Sequence, residues 1–538
     1  MSAASRLAMS WVDLAVVAAY LAGIVGLGLW AWRRRRTKQA SSAQYFLAGG
    51  TLRWPVIGLA LFSTNISTIH LVSLAQEGYV NGLAYGNFEW MAAFLLIVLA
   101  LFFAPFYIRA RVATLPDFLE KRYSRASRDW LAAMSIVSAV FIHIGFSLYT
   151  GAVVLRGLFG IDINTSILVT ALLTGLYTIV GGLLAVVVTE SVQTIVLILG
   201  SACVLGFGLA RIGGWDGLVA AVEPVKLTVL RTAAETPSLP WYAVFLGYPV
   251  IGLWYWCADQ TIVQRVLGAK DERHARLGPL FAGFIKILPV FLFVLPGLIA
   301  YGLVRQGGLP APESSADVYS LLVNNILPVG LKGIVAAALL AALMSTVSGA
   351  LNSIATLFTL DIYKRWRPQA SEKRLTRVGR AVTFAGMIVA IIWSPLVSHF
   401  QSLFQGITAV ICYIAPPITA VFIWGVLWKK ASAAAAKATL MVGSALGLIV
   451  FFLDWFRETT GWNVPSMMAT FYLFVVCSAV LVVVSVLRPH VHTAESEGLV
   501  WRRPADAVKG PWGPGVLDYR LVAVALFLAM AGLYAVFG

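Results

Sequence analysis

Ser63-Thr64-Asn65-Ile66-Ser67-Thr68 decides how this chain is built, because six consecutive polar or β-branched residues interrupt an apolar run over 54–79. A run of that length is long enough to cross a bilayer as a helix. Inside lipid, a break in such a helix survives only where the freed backbone groups line a cavity or bind an ion. A second break is expected at Tyr248-Pro249 and Gly252, within the apolar run 241–261. The two interrupted runs lie five spans apart. An odd separation gives them opposite orientations, which is the condition for an inverted repeat.

The rest of the chain agrees with a lipid solvent. Of 538 residues, 59% are hydrophobic and 12% charged, far from the composition of a soluble domain. The apolar stretches run about 20 residues or more, which excludes barrel strands of roughly ten alternating residues. Windows of about 19 residues place spans at 11–32, then 54–79, 82–108, 129–158, 164–184 and 187–211. Further spans follow at 241–261, 276–305, 331–360, 379–400 and 404–428, and a last group at 435–455, 467–487 and 520–537. The expectation is an all-α integral membrane protein of about 14 transmembrane helices. It divides into an anchor helix with a basic loop (1–53), a first five-helix repeat (54–211) and an outer loop (212–240). A second, inverted repeat (241–428) and flanking helices (429–538) complete it.

Arg33-Arg34-Arg35-Arg36 ends the first span without a small-residue cleavage pattern, so that span reads as a retained anchor rather than a signal peptide. If this basic run is cytoplasmic, about 31 of the 40 Lys and Arg fall on the same side of the membrane. Both termini are then predicted outside, in a multi-pass protein of the plasma or inner membrane. The net charge of +16 is spread over short loops and forms no single basic face, which argues against nucleic acid as a partner. Cys203, Cys257, Cys412 and Cys477 all fall within spans and show no metal-ligand spacing. No paired catalytic carboxylates or nucleophile–base pair stand out, so an enzyme is not expected, and neither a cofactor nor an obligate protein partner is implied.

Ionisable groups within spans are costly and therefore point to function. His70, Glu89, Glu190, Asp259 and Lys286 are such groups, with Gln260 beside Asp259. Glu89 and Lys286 form either a structural ion pair or, with His70, a set of hydrogen-bond partners for a small polyhydroxylated or zwitterionic solute. In the second case Tyr255 or Trp256 would cover its apolar face. Asp259 has two readings, a site role or a pairing with Arg265, and His143 is equally open. Glu190 reads as a possible second ion site or as a solvated helix-start acid. The carbonyls freed at Ser63 and Ile66, with the hydroxyls of Ser345 and Thr346, supply oxygens suited to a hard cation such as sodium. Such hydroxyls more often bond back to their own helix.

Several stretches carry a family likeness: Tyr45-Phe46-Leu47-Ala48-Gly49-Gly50, Thr64-Asn65-Ile66-Ser67 with His70, and Phe88-Glu89-Trp90. Others are Thr114-Leu115-Pro116-Asp117-Phe118, Trp254-Tyr255-Trp256-Cys257-Ala258-Asp259-Gln260, Asn352-Ser353 through Asp361-Ile362-Tyr363, and Ala415-Pro416-Pro417. Over roughly 45–430 the chain resembles the sodium/solute symporters, and within them the sodium/glucose cotransporter branch. The resemblance implies a leucine-transporter-type repeat of five plus five helices, with Na+ as the coupling ion and import of a small sugar-like solute. It also implies a sodium site at Ser63, Ile66, Ala342, Ser345 and Thr346, with Glu190 where an acidic residue, usually Asp, stands near that site. Solute contacts map to His70, Glu89, Tyr255, Trp256 and Lys286, Tyr255 serving as inner gate. Two positions depart: Thr408 stands where the sugar carriers have Gln, and Gly252 where some have Asn. Polyols, amino acids, carboxylates and vitamins therefore remain alternative solutes, and a sensor or channel on the same scaffold is a further reading.

Overall fold

In the computed structural model, which describes residues 9–36, 41–399, 403–490, 492–509, 512–513 and 515–538, the described residues are predominantly helical. Residues 37–40 of the expected basic loop lie outside this set. Among the described residues the only β-pairing is a bridge between Leu52 and Ala269. The elements that build the core are α1 (Trp11–Arg36), α2 (Trp54–Asn65), α3 (Thr68–Asn81), α4 (87–109), α5 (Leu115–Arg122) and α6 (125–159). They continue with α7 (Ile163–Ile212), α8 (Trp241–Leu253), α9 (Gln260–Leu267), α10 (Glu272–Arg305), α11 (Leu331–Trp366) and α12 (Glu372–Trp393). After them come α13 (Leu403–Leu427), α14 (Ala433–Trp455), α15 (Ser466–Leu487) and α16 (Tyr519–Phe537).

Eleven described helices are long and apolar enough to cross a membrane, so the expected count of fourteen is not reproduced on that measure. The difference has a physical source. Thr68–Arg109 and Ile163–Ile212 run for 42 and 50 residues, about twice what one crossing needs, and the expected span 241–261 holds an α-helix of only 13 residues, Trp241–Leu253. Ile163–Ile212 turns at Gly182, whose φ of 64° and ψ of −163° lie outside the helical region. A side chain there would place its Cβ 2.6 Å from the carbonyl oxygen of Tyr45. Gly182→Ala is therefore expected to lower stability by about 1–3 kcal/mol, visible as earlier thermal unfolding in detergent. An unchanged unfolding curve would refute that account of the turn.

Burial sorts the helices into centre and rim. The most apolar window of α11 is 94% buried, whereas that of α16 is only 17% buried and presents its side chains outward. α11 thus forms the central post, packed against α7, α1, α12 and α2. An apolar helix with such an exposed surface is at home in lipid, and the chain is a multi-pass membrane protein.

Both expected interruptions are real, but one is shifted. α2 stops at Asn65, Ile66 is extended (φ −79°, ψ 113°), and α3 starts after Ser67, also extended. The other helix runs on through Pro249 and Gly252, widens into a π turn at Trp254–Ala258, and breaks only at Asp259 (φ −82°, ψ 122°). Asp259 stops one segment and starts the next, its carboxylate accepting from the backbone N–H groups of Thr261 (2.7 Å) and Ile262 (3.3 Å).

Candidate functional site

The break after α2 faces α11. Ser345 Oγ donates to the carbonyl of Ser63 at 2.8 Å and of Ala342 at 3.1 Å. Thr346 Oγ1 lies 3.2 Å from the carbonyl of Ala342, 3.3 Å from that of Thr64 and 3.4 Å from that of Ile66. The five positions Ser63, Ile66, Ala342, Ser345 and Thr346 are thus brought together as a cluster of oxygens, all buried. Two of these carbonyls have lost their helical partners because the chain unwinds at Ile66, which leaves them free to accept from α11 or to face a cation. Both hydroxyls also bond their own helix at Ala342, so the back-bonding arrangement and the cross-helix arrangement coexist here.

One turn away, Glu190 is fully buried on α7. Its Oε1 accepts from Thr64 Oγ1 at 2.9 Å and its Oε2 from Arg265 Nε at 3.2 Å, with Arg265 Nη2 also on Oε1. The reading of Glu190 as a solvated helix-start acid is therefore corrected, and so is the pairing of Asp259 with Arg265. Asp259 faces His143 instead, Oδ2 to Nε2 at 3.3 Å. The swap follows from the break, which consumes Asp259 as a helix cap and turns Arg265, two turns further on, toward α7.

Next to this layer, sharing Asn65 with the break, lies a cavity of about 170 Å³, lined by His70, Glu89, Tyr255, Trp256, Lys286 and Thr408 among others. All six expected solute positions therefore open on one cavity. Its size is below the roughly 300–1,000 Å³ of pockets for drug-sized molecules, and suits a single small ring. Lys286 Nζ pairs with Glu89 and also donates to Asn65 Oδ1 at 2.6 Å, while Asn65 Nδ2 donates to the Tyr255 hydroxyl at 3.1 Å. Ser67 N–H donates to His70 Nδ1 at 3.2 Å, which puts the proton of a neutral ring on Nε2, 3.9 Å from Glu89 Oε1. The ammonium of Lys286 also sits 5.6 Å from the centre of the Trp256 ring. The result is a bonded, net-neutral polar wall that still holds unused donor and acceptor capacity.

Asn65 was not singled out from sequence as a contact, although an amide at the last helical residue before a break is a usable signal. Tyr248, which lines the cavity and donates through its hydroxyl to the Phe88 carbonyl at 2.6 Å, carried no such signal.

Two broken helices, a cluster of oxygens at one break and a cavity with a bonded polar set beside it define a secondary transporter of the discontinuous-helix type. In fold the chain is similar to a Na+-coupled sialic acid symporter in a substrate-bound outward-open state, with a TM-score of 0.77 at 21% identity over 90% of this chain and 100% of that one. A nucleobase–cation symporter in a closed conformation superposes with a TM-score of 0.53 at 14% identity, covering 88% and 99% of the two chains. The sodium:solute symporter family model matches residues 45–443. The chain is 33% identical over 486 residues to sodium/glucose cotransporter 4 of Danio rerio, covering 85% of this chain and 74% of that protein. It is 34% identical over 481 residues to sodium/myo-inositol cotransporter 2 of Mus musculus, covering 83% and 71%. The chain belongs to the sodium:solute symporter family.

Proposed function

We propose that this symporter imports a monosaccharide or cyclic polyol together with sodium, by alternating access. The observation that carries this reading is the polar wall of Asn65, Glu89, Lys286 and His70, whose one ammonium is already neutralised by one carboxylate. A carboxylate solute would find no uncompensated cation there, whereas a neutral polyol meets donors and acceptors side by side. The relatives named for glucose and myo-inositol are in keeping with that class.

Sodium is assigned to the oxygens of Ser63, Ile66, Ala342, Ser345 and Thr346, and the solute to the cavity, with Tyr255 closing its inner side. Bound sodium would tie the break after α2 to α11 and favour the outward-open form. Solute would then seal the cavity, and the two units 54–211 and 241–428 would move against each other. One sodium moving down 100 mV supplies about 2.3 kcal/mol, and a tenfold gradient about 1.4 more. A second ion at Glu190 would first have to displace Arg265, so Glu190 is given a structural ion pair instead. The termini are assigned to the outer face of the cell membrane, in keeping with the distribution of Lys and Arg.

The test is uptake of radiolabelled glucose, galactose and myo-inositol by proteoliposomes with and without an inward sodium gradient. Accumulation is expected with the gradient and none without it. Absence of uptake of every sugar and polyol would move the assignment to another solute on the same sodium-coupled scaffold.

A further inference from the structure

The walls of the solute cavity differ in chemistry. One carries the bonded set of Asn65, Glu89, Lys286 and His70, contributed by α2, α3, α4 and α10, with Ile69, Leu74 and Phe88 of the same helices beside it. The other is built by α8 and α13, which are tied together where Thr419 Oγ1 donates to the Val250 carbonyl at 2.7 Å. Toward the cavity this second wall presents Ile251, Gly252, Thr408 and Ile411. Gly252 leaves backbone bare because a Cβ there would stand 3.0 Å from both Leu95 Cγ and Tyr248 Cε1. Any larger side chain, an amide included, would have to push those neighbours aside. The Tyr248 hydroxyl is already turned away to the Phe88 carbonyl. Among these four residues Thr408 alone offers a polar side chain, a single short hydroxyl.

An aromatic floor, Tyr255 with Trp256, is available for the apolar face of a sugar ring. The two isoleucines are additional to that floor, and a ring resting on the floor would bring its rim, where an ordinary hexose carries hydroxyls all round, toward them. A hydroxyl pressed against Ile251 and Ile411 would lose its water without gaining a partner.

Resting on the sugar or polyol reading above, we infer that the preferred solute is a deoxy sugar, or a polyol with an equivalent carbon-rich edge. Its hydroxyls lie along the Asn65–Glu89–Lys286 wall, and a methyl or methylene faces Ile251 and Ile411. Thr408 accepts or donates the one hydrogen bond that this edge retains.

The experiment uses the full-length carrier in proteoliposomes and measures inhibition of sodium-driven uptake of a labelled sugar or polyol that it accumulates. D-glucose and D-galactose are compared with their 2-, 3-, 4- and 6-deoxy derivatives and with myo-inositol. At least one mono-deoxy derivative is expected to compete roughly ten- to a hundred-fold better than its parent hexose, the size of discrimination that an apolar pocket achieves over one group. In Thr408→Gln, whose added amide can reach a rim hydroxyl, that gap is expected to shrink by about tenfold. Parent hexoses that outcompete every deoxy derivative overturn this inference and leave the sugar assignment standing. Failure to accumulate any sugar or polyol overturns both. The comparison on the unmodified carrier decides the matter without any variant, so a misfolded Thr408→Gln would not obscure it.

Discussion

Lys286→Met is expected to take up no solute at concentrations that saturate the parent carrier, and to unfold more readily. Lys286 and Glu89 are 1% and 2% exposed, so the substitution strands a carboxylate in the protein interior. Removing one partner of a buried pair typically costs about 3–5 kcal/mol, far more than the pair contributes relative to an apolar replacement. Asn65 loses its ammonium partner as well, and with it the restraint that holds its amide against the Tyr255 hydroxyl. Two contributions to the defect are separable. In Lys286→Met with Glu89→Gln no stranded charge is left at this pair, so stability is expected to return to within about 1 kcal/mol of the parent. Uptake is not expected to return, because the charge-assisted hydrogen bonds to solute, about 1.5–3 kcal/mol each, are gone. Recovery of uptake in the double variant would show that the pair is only scaffolding, and the solute would have to be placed elsewhere.

That ion pair was legible in the sequence because a lone Lys and a lone Glu in separate apolar spans have few other ways to be accommodated. The break at Ile66 was legible for a related reason: Ser63-Thr64-Asn65 and Ser67-Thr68 bring hydroxyls and an amide where lipid would exclude them. The break in the other repeat was misplaced by about ten residues, since Pro249 and Gly252 carry the local signal while Asp259 carries out the interruption. Proline in a membrane helix is tolerated when neighbours satisfy the backbone, so its presence marks a weak point without fixing where the chain unwinds. Asp259 read as a site residue or as the partner of Arg265, and its role as the cap of Gln260–Leu267 emerged only from the structure. What the sequence could not supply was the long-range choice: Arg265 reaches Glu190, 75 positions earlier, and no spacing rule connects them. The turn at Gly182 falls two residues before the end of the span 164–184, so its place was legible to within a few residues, while the need for a positive φ was not.

Ser345→Ala with Thr346→Ala gives the other large effect, and it falls on sodium rather than on solute. The two hydroxyls are two of the six oxygens gathered at the break, the other four being backbone carbonyls that side-chain substitution does not remove. Each oxygen facing a cation contributes on the scale of a hydrogen bond to a charged group, about 1.5–3 kcal/mol, so the loss of both comes to about 3–6 kcal/mol. The sodium concentration for half-maximal uptake is then expected to rise by at least about a hundredfold. The same hydroxyls also bond the carbonyls of Ser63, Thr64 and Ile66 directly, so their loss loosens the contact between α11 and the broken helix even without sodium. Thermal unfolding measured with and without sodium separates these effects. A purely structural role predicts the same drop in both conditions. An ion site predicts that the parent gains stability as sodium is raised, by RT ln(1 + [Na+]/Kd), and that the variant gains none over the same range. A variant that keeps both its sodium dependence and its sodium-induced stabilisation would place the coupling ion outside this cluster, and Glu190, released from Arg265, would be the next position to substitute.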